Sequence, residues 1–204
     1  MPPRTRSALR REPRQLRSKQ MVERIIAAGR EVLVARGYEA ATTNHIAAAA
    51  GISPGSLYQY FPDKTAILGE VIDRYADELV ARLSHAFLRS LGAPTEEGKR
   101  MVVTAMLDAF EENADLLRVL VEQVPRSPDS VRAVFARRMD DMMTAALLAR
   151  PDHDPARPAD AIAWVLVRAV EHVTISYVLE RPQLDRATVI DELTVLITQY
   201  LDLR

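Results

Sequence analysis

Residues 41–61 read ATTNHIAAAAGISPGSLYQYF, and this stretch decides the fold around it. Thr43 is a suitable N-cap for a short helix, and Gly51 can end that helix after about two turns. The inner face of the helix is small and apolar, and it comprises Ile46, Ala47 and Ala50. Such a face predicts a close crossing with a neighbouring helix.

A second helix begins directly after this turn. Ile52 points inward, Ser53 is an N-cap, and Pro54 stands at the first helical position, where a missing N–H costs nothing. We expect this helix to cover residues 54–60. Two short helices joined by a glycine-containing turn form the helix-turn-helix pattern, whose second helix enters the major groove of DNA. The alternative is an incidental helical hairpin with tyrosines at its surface.

Helical patterns flank the stretch on both sides. The preceding helix ends near Gly37, which suits the left-handed C′ position, and its apolar face comprises Val22, Ile25, Ile26, Val32 and Leu33. Lys64 begins a long following helix, in which apolar residues recur at three- and four-residue steps from Ile67 to Leu83. The sequence therefore predicts a three-helix N-terminal domain and a long helix that leaves it.

Beyond this segment, prolines divide the chain into blocks of about 20 to 30 residues, which is helix-sized. No Asn-Gly or Asp-Gly hairpin and no sustained period-two alternation occurs in the sequence. We predict an all-α fold with three parts. These are a basic flexible arm (1–17), a helix-turn-helix DNA-binding domain (18–64) and a larger helical domain for ligand binding and dimerisation (65–204).

Charge is distributed unevenly along the chain. The first 19 residues hold seven basic side chains against one acid, whereas the other 185 hold 20 basic and 27 acidic groups. A cationic arm on an acidic body points to a polyanionic partner. The chain has no cysteine, and its longest purely apolar run, 161–167, is seven residues. We therefore expect no thiolate metal site and no membrane span, and a cytoplasmic location.

The last two predicted helices, 159–180 and 186–203, are unusually apolar. The first is apolar on two sides, and a helix of that kind must be covered on both. One interpretation is a four-helix interface with the same pair in a second subunit, which would make a homodimer. The alternative is that both are central helices of a monomer.

The segment from residue 18 to about residue 70 resembles the TetR family of transcriptional regulators. The resemblance is carried by the string ATT..IA..AGIS.GSLY.YF.DK..IL over Ala41–Leu68, by the preceding helix and by a chain length near 200. It implies a ligand-responsive, homodimeric repressor that a small hydrophobic or amphipathic effector releases from a palindromic DNA operator. The alternative is a helical ligand-binding or dimerisation module that does not bind DNA.

The resemblance also implies roles for single residues. Leu57 and Phe61 would be core residues that hold the second helix in place. Base edges would be approached by Ser53, Pro54, Gly55, Ser56 and Gln59, and phosphates would be contacted by Thr43, Tyr58, Tyr60 and Lys64. The arm would add phosphate or minor-groove contacts, among them Arg14 and Arg17.

Polar and methionine side chains in the C-terminal part are candidates for a ligand pocket. They are Met106, Asn113, Glu122, Met139, Trp164, Arg168, His172 and Tyr177. Satisfied core or interface groups are an equally good interpretation. The sequence has no nucleophile elbow, no phosphate-cradling glycine loop and no His-Glu-x-x-His, and its four histidines are far apart. We therefore expect no enzyme, no metal and no cofactor.

Overall fold

The structure is a computed structural model of the chain, and it describes residues 12–90, 95–124, 131–150 and 154–202. The described residues form helices and no strand, which confirms the predicted all-α fold. The helices within these ranges are α1 (Glu12–Ala40), α2 (Thr43–Ala49), α3 (Pro54–Leu57), α4 (Lys64–Ser90), α5 (Thr95–Glu111), α6 (Ala114–Glu122), α7 (Val131–Leu148), α8 (Ala159–Glu180) and α9 (Arg186–Asp202). They divide into two compact units.

The first unit contains α1, α2, α3, the part of α4 up to Asp73, and residues 119–124. Helix α2 buries the inner face predicted for it, since Ile46 and Ala47 are fully buried and Ala50 is nearly so. A Cβ on Gly29 of α1 would lie 2.8 Å from Cγ2 of Ile67. Helices α1 and α4 therefore pack closely. The other fully buried side chains of this unit are Ile25, Leu33, Leu57 and Leu68.

Helix α1 differs from the prediction at both ends. It begins at Glu12, so residues 12–17 are helical and do not belong to a flexible arm; residues 1–11 of that arm lie outside the described residues. Arginine, glutamine and leucine are strong helix formers, which favours a helix in this segment. Gly37 has the predicted positive φ (78°), but its ψ of 173° lies outside the left-handed helical region. Only glycine adopts such a backbone readily.

The two short helices are close to prediction. Gly51 ends α2 with φ 64°, and Ser53 caps α3 with Pro54 in the first turn, as predicted. The N-cap of α2 is Thr42 and not Thr43, because Thr42 Oγ1 accepts the N–H of His45 at 3.2 Å. Helix α3 is shorter than residues 54–60. The amides of residues 59 and 60 each donate to the carbonyl three residues back, so the chain continues as turns.

The second unit contains α4 from Arg74, α5, α6 up to Arg118, and α7, α8 and α9. Helix α5 packs against α8 and α9, and α7 packs against α8. The block between Pro94 and Pro125 holds two helices, because the chain breaks near Asn113. The side-chain amide of Asn113 donates to the backbone carbonyl of Ala109. The backbone carbonyl of Asn113 accepts the N–H of Leu117 in the first turn of α6.

Among the described residues, only one side of helix α8 is covered. Its buried side includes Ile162, Leu166, Val170 and Ile175, while Trp164 is 57% exposed. Among the described helices, α8 has the length and the apolar composition to cross a membrane. Half of its most apolar stretch is buried in the fold, as in a core helix of a soluble domain. The exposed side of α8 is thus the part that one chain leaves uncovered.

Candidate functional site

The helix-turn-helix is held together by hydroxyl groups. Ser53 Oγ accepts the N–H of Ser56 at 3.1 Å, and the two serine hydroxyls lie 2.9 Å apart. The hydroxyl of Tyr58 lies 3.2 Å from Oγ1 of Thr43, so a side-chain bond links α2 to the end of α3. These bonds orient polar groups that belong to two different helices.

Most residues predicted to contact DNA form one accessible surface. Thr43, Ser56 and Tyr60 are half-buried, while the exposed members are Ser53, Pro54, Gly55, Tyr58 and Gln59. Leu57 is fully buried, as expected of a core residue, whereas Phe61 is only half-buried. Arg17 is exposed on α1, and the side chain of Arg14 falls outside the described part of the structure.

Lys64 occupies the start of α4, and its ammonium group contacts the end of α1. Its Nζ donates to the carbonyl of Glu39 at 3.0 Å and to that of Tyr38 at 3.3 Å, and it lies 5.7 Å from the centre of the Tyr38 ring. Two of its three N–H donors are therefore engaged by protein. Within the described part of the chain, the third N–H donor has no acceptor.

The second unit encloses a small apolar cavity of about 70 Å³. Four methionines line it, and Met106 is held in place by the buried hydroxyl of Thr174, 3.3 Å from its sulfur. The remaining lining residues are apolar except for Glu171, and they include Leu83, Phe87, Phe135, Leu166 and Ile197. A methionine side chain is unbranched and adaptable, so these walls can change shape.

Two of the eight predicted ligand-pocket residues, Met106 and Met139, line this cavity. Arg168 instead forms a two-pronged ion pair with Asp140 (3.0 and 3.3 Å), and its guanidinium lies 5.8 Å from the centre of the Trp164 ring. The other five do not line the cavity. Trp164 and His172 lie on the exposed side of α8, and Tyr177 donates a hydrogen bond to the carbonyl of Leu184. Asn113 lies between α5 and α6, and Glu122 belongs to the first unit.

Several lining residues were missed by the sequence analysis. Phe87, Phe135 and Leu166 face the cavity, but a buried apolar residue beside a cavity has the same periodicity as one packed against another side chain. Met142 and Met143 also line it, and they were not missed. The sequence favours core packing for the methionines of 101–143, with an adaptable apolar pocket as the alternative.

A second, polar groove of about 460 Å³ lies between α4 and α5. At its edge Arg82 forms a two-pronged ion pair with Glu112 (2.5 and 2.7 Å). The hydrogen bond from Arg82 lowers the pKa of the exposed Glu112 carboxyl and raises the pKa of the guanidinium. Arg100 forms an ion pair with Asp191 nearby. Two arginines at this groove, Arg82 and Arg100, are thus paired with carboxylates.

Comparison with known families places both parts of the chain. The sequence model of bacterial regulatory proteins of the tetR family matches residues 25–71. The model of the tetracyclin repressor-like C-terminal domain matches residues 94–201, which is more than half of the chain. The first match covers the helix-turn-helix, and the second covers the helices that line the apolar cavity, except for α4 with Leu83 and Phe87.

Curated relatives have different regulatory roles. The transcriptional activator FasR of Mycolicibacterium smegmatis is 35% identical over 100 residues, which is 48% of this chain and 44% of FasR. The nucleoid occlusion factor SlmA of Pasteurella multocida is 33% identical over 87 residues, 42% of each protein. This chain thus aligns with less than half the length of either relative.

Solved structures share the fold over nearly the whole chain. A tetR-family regulator from Streptomyces coelicolor has a TM-score of 0.70 at 17% identity and covers 89% of this chain and 80% of its own. The regulator FadR from Bacillus subtilis, solved with stearoyl-CoA, has a TM-score of 0.67 at 17% identity and covers 86% and 96%. With the helix-turn-helix and the two matched domains, these findings show that the chain belongs to the tetR family of bacterial transcriptional regulators.

Proposed function

We propose that this regulator is a homodimeric repressor that leaves a palindromic operator when a small hydrophobic or amphipathic effector binds. The observation that carries the proposal is an apolar cavity in the second unit of a chain whose first unit is a helix-turn-helix. Operator DNA, the effector and a second copy of the chain are its proposed partners, and the cytoplasm, where bacterial DNA lies, is its proposed location. A module that has lost DNA binding is not favoured, because the residues proposed to contact DNA are accessible to solvent.

DNA binding is proposed to use the accessible surface of α3 and the turn after it. The exposed Tyr58 and the free N–H of Lys64 suit phosphate oxygens, and Ser56 and Gln59 suit base edges. Two such surfaces in a dimer would enter successive major grooves about 34 to 36 Å apart, so the operator should be close to palindromic.

Dimerisation is proposed to use the uncovered sides of α8 and α9. Trp164, Val165 and Val173 are exposed on α8, and Val195 and Leu196 are exposed on α9. Exposed apolar side chains that cluster on neighbouring helices mark an interaction site. A second copy with the same two helices would cover them with a self-complementary four-helix interface.

The effector is proposed to be a molecule with a long apolar chain. A cavity of about 70 Å³ holds roughly two water molecules, so such a chain can enter only by displacing side chains. The flexible methionine side chains permit this displacement. A ligand shifts a conformational equilibrium only if it binds one of two conformations more tightly, and here the favoured conformation is the one with displaced side chains. The structural neighbour FadR, solved with stearoyl-CoA, binds a ligand of this class.

Helix α4 is proposed to transmit the response, since its residues belong to both units. Leu83 and Phe87 line the cavity, and Lys64 begins the same helix. A coupling of about 1 to 3 kcal/mol would change DNA affinity by roughly 5- to 150-fold, and DNA would weaken effector binding by the same factor.

The test uses a duplex selected from a random DNA library by the full chain. Its affinity is measured by fluorescence anisotropy with increasing stearoyl-CoA, and free coenzyme A serves as the control because it lacks the apolar chain. We expect stearoyl-CoA to weaken DNA binding at least fivefold and coenzyme A to leave it unchanged. Stearoyl-CoA that binds equally well with and without the duplex contradicts the proposed ligand response. A chain that selects no duplex contradicts the proposed DNA binding.

A further inference from the structure

Gln123 makes a long-range contact in the first unit. It follows α6 directly, and its side-chain oxygen Oε1 accepts the backbone N–H of Tyr38, 85 residues away, at 2.9 Å. Residues 119–124 belong to the first unit, although the rest of α6 belongs to the second. The residue after α6 is thus hydrogen-bonded to the backbone of Tyr38, next to the kink of α1 at Gly37.

That backbone also holds Lys64. The N–H of Tyr38 is bound by Gln123, while its carbonyl and that of Glu39 accept from Lys64 Nζ, and its ring lies beneath the same ammonium group. The peptide groups of a single two-residue segment therefore join Gln123 to Lys64. A shift of this segment would move both carbonyls that orient the lysine.

Gly37 shows that the chain is built to admit this contact. A Cβ at position 37 would come too close to Oε1 of Gln123, so the amide of this side chain would have to move away. The backbone there has φ 78° and ψ 173°, which a side chain would also strain. The glycine thus allows both the bend of the chain and the approach of the amide.

We propose that Gln123 is a positioning residue for DNA binding, which fixes the carbonyls of Tyr38 and Glu39 so that Lys64 directs its remaining N–H to a DNA phosphate. This proposal rests on the proposed function, in which Lys64 contacts DNA. Gln123 acts through the backbone of Tyr38 and Glu39 at the end of α1 and does not itself touch the nucleic acid.

The experiment is a double-mutant cycle with Gln123→Leu and Lys64→Met, measured on the selected duplex over a range of salt concentrations. Loss of one hydrogen bond predicts that Gln123→Leu weakens binding by about threefold to tenfold. In a chain that already carries Lys64→Met, the same substitution should have no effect on binding. The salt dependence should fall with either single change, by at most about 0.9 in the log–log slope for each DNA-binding domain.

Two further variants control the cycle. Gln183→Leu changes an exposed glutamine of the second unit and should leave affinity and slope unchanged. Gln123→Glu keeps an acceptor oxygen but adds a charge, so at high salt, where that charge is screened, it should bind within about twofold of the unsubstituted chain. It tests the proposal even if the leucine variant folds poorly.

The outcomes separate this inference from the function on which it rests. If the unsubstituted chain binds no duplex, the proposed function is wrong. If that chain binds and Lys64→Met weakens binding, but Gln123→Leu has no effect or has the same effect in both backgrounds, only the positioning role is wrong. Equal losses in Gln123→Glu and Gln123→Leu at high salt would also overturn it.

Discussion

Thr43 and Tyr58 are joined through their side-chain hydroxyls, which lie 3.2 Å apart although the residues belong to different parts of the helix-turn-helix. Thr43 begins α2 and Tyr58 follows α3, so the bond crosses the turn at Gly51. It holds an exposed phenol, 54% accessible, in a defined direction. Both hydroxyls were predicted to contact phosphates, and the bond between them places the two predicted contacts side by side.

Tyr58→Phe is expected to weaken DNA binding without disturbing the fold. The change removes one hydroxyl that can reach a phosphate and leaves the ring, so a loss of about 1 kcal/mol, or fivefold in affinity, is expected. Anisotropy with the selected duplex measures the affinity, and far-UV circular dichroism checks the helices. Tyr200→Phe in α9 is the matched control and should bind as the unsubstituted chain does. Equal affinities for Tyr58→Phe and the control would remove Tyr58 from the interface.

Gly37→Ala is expected to destabilise the first unit. Its positive φ and the nearby Gln123 oxygen both oppose a Cβ, and strain of this kind costs about 1 to 3 kcal/mol. The matched change is Gly69→Ala, because Gly69 lies within α4 and a Cβ there would meet nothing within 4 Å. That change should stabilise the chain by roughly 0.5 to 1 kcal/mol. Urea denaturation measures both, and a Gly37→Ala chain as stable as the original would contradict the described backbone.

Met139→Ala is expected to enlarge the apolar cavity. Removing the side chain should cost about 2 to 5 kcal/mol of stability, and the larger space should bind an apolar molecule more readily. Thermal unfolding with and without dodecanol measures both effects. We expect dodecanol to raise the midpoint of Met139→Ala more than that of the unsubstituted chain. Met101→Ala, which changes a residue of the polar groove, should show no such gain.

Trp164→Glu is expected to convert the dimer to a monomer. The indole is 57% exposed on the uncovered side of α8, and a charge placed there would be buried without a partner in the proposed four-helix interface. Sedimentation velocity measures the mass of the particle. Leu88→Glu replaces a similarly exposed apolar residue, 64% accessible on α4, and should leave the mass unchanged. A dimer that persists in Trp164→Glu would place the interface elsewhere.

The helix-turn-helix was largely predictable because its signals are local. Ser53 caps α3 and Gly51 ends α2, as their positions in the sequence indicate, since caps and positive-φ glycines act within one turn of the backbone. The shift of the N-cap from Thr43 to Thr42 is a choice between two adjacent threonines with the same chemistry. Propensity alone did not separate them.

The ligand site was much less predictable. Of the eight candidate ligand-pocket residues, Met106 and Met139 line the apolar cavity. Arg168 was chosen for its charge in an apolar helix, and it is paired with Asp140 of α7. The partner of Arg168 lies 28 residues away in the sequence, so the sequence near Arg168 does not reveal it. Periodicity states which face a residue occupies but not what lies opposite.

The sequence by itself determined the helices, the helix-turn-helix and the family, because these depend on hydrogen bonds and apolar spacing within a few residues. Only the tertiary structure decided that four methionines meet around one cavity, that one side of α8 stays uncovered, and that Gln123 lies against Gly37. Each of these is a contact between segments far apart in the chain. Such contacts depend on how whole helices pack, and packing is decided by shape and volume across the core, which no local pattern records.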